Sequence, residues 1–92
     1  MTSYASIDRI EGKFAVLEVE MLTFEESRPE DFATKDTVMI DIELQKIPSD
    51  VDEINEGDIL VVEHDGENVT LIYYKDEEER VRRIELLRRM WS

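Results

Sequence analysis

The chain has 92 residues, enough for one domain with one core and too few for two. Hydrophobic residues make up 41% of it, so it has the material to fold despite 38% charged residues, and the lack of cysteine excludes disulfides, thiolate zinc sites and cysteine nucleophiles. The net charge is −13, with 19 acids and 6 bases in residues 1–75 and five of each in residues 76–92, a sign that opposes direct binding to nucleic acid or an anionic membrane.

Residues 4–10 have strand character, and Glu11-Gly12-Lys13 supplies a turn with glycine available for positive φ. Residues 14–19 form the returning strand of this hairpin. From 20 to 36 the pattern fails. Glu25-Glu26-Ser27-Arg28-Pro29-Glu30-Asp31 is acidic, and Pro29 suits neither a helix interior nor a central strand. Phe24 and Phe32 flank the run, and their simplest role is to pin the loop ends to the core. Loops of this length tend to carry function, which makes Glu25, Glu26, Glu30 and Asp31 candidate partner contacts.

Val38, Ile40, Ile42 and Leu44 alternate with polar residues and share one face of a third strand. Ile47-Pro48 ends it, residues 49–55 are a loop or short turn, and Glu56-Gly57-Asp58 leads into a fourth strand at 59–64. Asp65-Gly66 is a strong hairpin signal before a fifth strand at 69–74. The last two strands carry apolar residues on both faces, so a second layer is needed.

A helix over 76–90 is the expected cover. Asp76 is placed to N-cap it, with Glu79 three residues on as in a capping box. Glu77, Glu78 and Glu79 stand at the positive end of the helix dipole, Arg88 and Arg89 at the negative end. Val81, Ile84, Leu87 and Trp91 form one stripe, expected to meet the sheet, while Leu86 and Met90 widen it beyond what one small sheet covers. Leu86, Met90 and Trp91 are therefore candidate contacts for a protein partner or for a second copy of the chain. The fold expected is mainly β with one C-terminal helix: a five-stranded, bent antiparallel sheet or an SH3-like or OB-like barrel. Ile7, Val16, Ile40, Ile42, Val61 and Leu71 are its expected core.

The run Asp8-Arg9-Ile10-Glu11-Gly12-Lys13-Phe14-Ala15-Val16-Leu17-Glu18 resembles the opening of a small bacterial family known only as a domain of unknown function, number three-thousand-and-six. The resemblance continues at Pro48, at Glu56-Gly57-Asp58-Ile59-Leu60, and at Asp76-Glu77-Glu78-Glu79 with Arg82-Arg83-Ile84 and Leu87. It implies a compact β domain followed by a helix, and no catalytic residues. The chain departs from that family in its long 20–36 segment, and in Arg80 where threonine is common.

Catalytic and metal readings are weak. His64 is the single histidine, and Ser3, Ser6, Ser27, Ser49 and Ser92 lack the glycine-flanked elbow of a serine nucleophile. Asp50, Asp52, Asn55 and Asp58 crowd one loop. An EF-hand count from Asp50 nevertheless fails, with Ile54 at position five, Asn55 at six and Val61 at twelve. Gly12, Gly57 and Gly66 lie in separate turns, so no loop cradles a phosphate. No cofactor, metal or enzymatic activity is expected. The start has no basic and apolar leader, and no apolar run approaches a membrane span, so a cytoplasmic location is expected. These features point to a non-catalytic, acidic interaction or regulatory module. The alternative is an acidic nucleic-acid mimic that occludes a basic nuclease or DNA-binding protein.

Overall fold

Runs rich in β-branched residues form the strands, and the computed structural model describes them within residues 1–28, 36–48, 51 and 53–91. In chain order they are β1 (Thr2–Glu11), β2 (Phe14–Glu20), β3 (Thr37–Glu43), β4 (Ile59–His64) and β5 (Val69–Lys75), followed by α1 (Glu77–Trp91). Each lies within one or two residues of its sequence-based boundary. All pairs are antiparallel, and the sheet order is β3-β2-β1-β4-β5. β3 and β5 are its edges, so of the two architectures expected the chain takes the open sheet rather than a closed barrel.

Two hairpins follow from turn chemistry. Gly12 sits at φ +57° between β1 and β2, where a side chain would be strained. Between β4 and β5, one carboxylate oxygen of Asp65 accepts the backbone N–H groups of Glu67 and Asn68, at 2.9 and 2.7 Å. The two halves of the sheet join along β1 and β4, with Ala5 opposite Leu60.

The inner face holds the main core: Ala5, Ile7, Ala15, Leu17, Val19, Ile40, Ile42, Leu60, Val62 and Ile72. Its lid is the connection from β3 to β4, which lays Leu44, Ile47, Val51 and Ile54 against it. Val16 and Val61 are buried on the outer face, so five of the six expected core residues are inside. Leu71 is the exception. It is 47% exposed, because β5 is an edge strand whose pairing slips twice, leaving Ile72 opposite Val62 inside and Leu71 beside Glu63 outside.

On the outer face Tyr4, Ile59 and Val61 form a smaller cluster, with Phe24 packed on it. The Phe24 ring meets Tyr4 edge-on at 6.2 Å, and its N–H donates to the Thr2 carbonyl at 2.9 Å, so Phe24 does pin the loop. Phe32 lies outside the described residues.

Candidate interaction surface

α1 begins as its cap predicts, with the Glu79 N–H donating to Asp76 Oδ1 at 2.9 Å. The second half of the capping box does not form. The Asp76 N–H goes to the Ile59 carbonyl at 2.8 Å, and the Glu79 carboxylate turns inward instead. There it is buried and accepts from Arg82 Nε at 3.1 Å and Arg83 Nε at 2.8 Å. Arg83 in turn reaches Glu20, buried at the end of β2, at 2.6 Å, and Ser27 donates to the other Glu20 oxygen at 2.9 Å. The Arg83 guanidinium also lies 5.2 Å from the centre of the Tyr4 ring. Burial, with the carboxylates of Glu79 and Asp76 adding to it, pushes the Tyr4 phenol up to about 12, so it stays a donor, and it reaches Asp76 at 3.4 Å.

The helix is thus fastened to the sheet by its charged side, and the expected packing of Val81, Ile84, Leu87 and Trp91 onto the sheet is not what occurs. At 100° per residue this stripe lies roughly a third of a turn round the helix from Glu79 and Arg83. It is left at the surface: Val81 and Leu87 are exposed, Ile84 is half-buried, and Trp91 is 84% exposed. Of the flanking residues, Leu86 is half-buried and Met90 is 66% exposed. A groove of about 300 Å³ runs beside the stripe, with Ile84 and Leu87 on one wall and Ser6 and Ile59 on the other. A shallower depression is lined by Glu77, Glu78, Val81 and Arg82.

Sequence reasoning missed Glu20, Glu79 and Arg83 as the anchor. The i, i+4 spacing of Glu79 and Arg83 was the available signal, but Glu20 is 63 residues from Arg83. Of the acidic-loop candidates, Glu25 and Glu26 are exposed, and Glu26 accepts from the Thr23 hydroxyl at 2.7 Å. Glu30 and Asp31 lie outside the described residues. Loop and helix meet through the Ser27–Glu20–Arg83 chain of contacts.

His64 is buried rather than a wet strand end, with Nε2 2.9 Å from the Ser3 hydroxyl. The Gly66 N–H donates to Nδ1 at 3.1 Å, so in the neutral ring Nε2 carries the proton and donates to Ser3. That polarity is the reverse of a base activating a serine. Burial holds the imidazole below its usual value of 6.5. In the Asp58 loop, the buried Asp58 carboxylate accepts the Asn55 N–H at 2.7 Å and faces Lys75 and Arg80 at 3.9 and 3.7 Å. Asp50 and Asp52 lie outside the described residues. A further depression of about 500 Å³, at the β1–β2 turn, is lined by Lys13, Phe14, Glu43 and Leu44 among others.

Comparison with protein-family models, curated proteins and solved structures gives no match. The likeness of the opening run to a bacterial family therefore rests on its residues alone. Among the described residues, no helix is long and apolar enough to cross a membrane.

Proposed function

We propose that the chain is a non-catalytic, acidic interaction or regulatory module that contacts other protein through the outward stripe of α1. The observation that carries this reading is the inverted attachment of the helix. Glu79 and Arg83 face the sheet, while Val81, Leu87 and Trp91 stand exposed on a stripe roughly a third of a turn away. A helix needing only to cap the sheet gains most by turning those apolar side chains inward, and a surface patch containing tryptophan marks a contact site. Two further features favour a scaffold over an enzyme. The carboxylates of Glu20, Glu79 and Asp58 are engaged by arginine, lysine, serine or backbone partners. The Ser3–His64 pair has its proton on the wrong nitrogen for nucleophile activation.

Photo-crosslinking in the native cell tests the reading. A crosslinker at position 87 is expected to give a discrete protein adduct that Trp91→Glu abolishes, while one at Asp41 on β3 gives none. Equal labelling from both positions contradicts an interface on α1. An adduct with a basic nuclease formed from positions 25 and 26 would favour the nucleic-acid mimic instead.

A further inference from the structure

We infer that the stripe of α1 packs antiparallel against α1 of a second copy of this chain, about a two-fold axis passing beside Ile84. The inference rests on the reading of α1 as an interaction surface and names its occupant. Ile84 is the midpoint of Glu77–Trp91, so antiparallel pairing about it brings the first turn of each helix beside the last turn of the other. The first turn holds Glu77, Glu78 and Glu79, and the last holds Arg88 and Arg89. Pairing in this sense brings Glu77 of each helix within one turn of the level of Arg88 on the other, while Glu79 stays with its own Arg82 and Arg83, and it sets the two helix dipoles antiparallel. A parallel pair would set acids against acids and bases against bases.

Charge also selects this part of the molecule. Two copies at −13 repel each other, and residues 76–92 carry five acids and five bases. The helix is where two copies approach with the least repulsion. The apolar parts match in the same register. Leu87 falls level with the partner's Val81, and Trp91 falls level with the partner's Glu77. A shallow depression lined by Glu77, Glu78, Val81 and Arg82 adjoins that position. A two-fold interface uses each residue twice, so four apolar positions supply eight buried side chains.

The chain has no cysteine, so introduced ones report unambiguously. Sedimentation of the wild type at tens of micromolar is expected to give twice the chain mass. Leu87→Glu with Trp91→Glu is expected to halve that mass, with circular dichroism showing the fold retained. Ile84→Cys is expected to form an intermolecular disulfide under mild oxidation. Glu77→Cys is expected not to, because antiparallel pairing separates residue 77 from its own copy by roughly 21 Å along the axis. A monomeric wild type overturns the inference, as does cross-linking through residue 77 in place of 84. If the wild type is monomeric while position 87 still captures another protein in cells, the dimer falls and the interaction-module reading stands. If neither is seen, both fall.

Discussion

His64 shows how one side chain couples this fold to pH. Its ring is neutral in the folded protein, accepting from Gly66 and donating to Ser3, and burial lowers its pKa. At and above neutral pH both folded and unfolded states hold it uncharged, and its contribution to stability is complete. As pH falls below about 6.5 the unfolded chain takes up the proton first, so stability declines until the folded-state value is passed. Thermal melts at pH 7 and 5 are expected to show a smaller loss for His64→Gln than for the wild type. The inner and outer faces of the sheet can be separated in the same residue-by-residue way. Leu60 is fully buried at the centre, and Leu60→Ala is expected to cost about 2–5 kcal/mol in urea unfolding. Leu71 is half in water, and Leu71→Ala is expected to cost under about 1 kcal/mol. Alternation within a strand made Ile40 and Ile42 legible as core. Leu71 was expected inside because its strand is apolar on both faces, a composition that does not say which face is covered, and the pairing slips of β5 put Ile72 inside instead.

The helix was legible as an element, and its cap was legible as chemistry. Its orientation was not. Apolar periodicity assumes that a helix docks by its greasiest side, and α1 docks by Glu79 and Arg83. The partner that decides this, Glu20, belongs to β2 and becomes a neighbour only once the sheet exists. The anchor makes a testable claim about energetics. Arg83→Ala leaves two buried carboxylates facing each other, and is expected to destabilise by about 3–5 kcal/mol. Replacing the three together with Glu20→Leu, Glu79→Leu and Arg83→Met removes the charges along with their desolvation. That triple variant is expected to unfold at a denaturant concentration equal to or above that of Arg83→Ala, and near wild type. If the single and triple variants are equally unstable, the pairing is not what holds the helix.

For the whole molecule, the dominant fact is like charge confined to a small volume. Acids paired with cations include Glu20, Asp58, Glu63 and Glu79, while residues such as Asp41, Glu25 and Glu67 stand exposed. Screening by salt acts on the exposed acids at separations beyond about 10 Å and leaves the buried pairs almost untouched. The melting temperature is therefore expected to rise between 10 and about 150 mM sodium chloride, at a protein concentration low enough to keep the chain monomeric. A flat profile would mean that the exposed carboxylates are too dispersed to strain the fold.

The strand order carries a last consequence, for the route by which the chain folds. β1, β2 and β3 lie consecutively in the sheet, though β2 and β3 are joined by a long segment, and β4 with β5 is a second hairpin. The β1–β2 and β4–β5 hairpins form from contacts near in sequence. The seam between them, Ala5 against Leu60 and Tyr4 against Val61, closes a loop of more than fifty residues. Closing that loop costs chain entropy that no local contact offsets, so docking of the two hairpins is expected to come last. Substitutions at the Gly12 turn should then slow refolding, whereas Ala5→Gly or Leu60→Ala should mainly hasten unfolding. Stopped-flow chevrons for these variants would read that order directly, and a slowed folding arm for Leu60→Ala would place the seam in the nucleus instead.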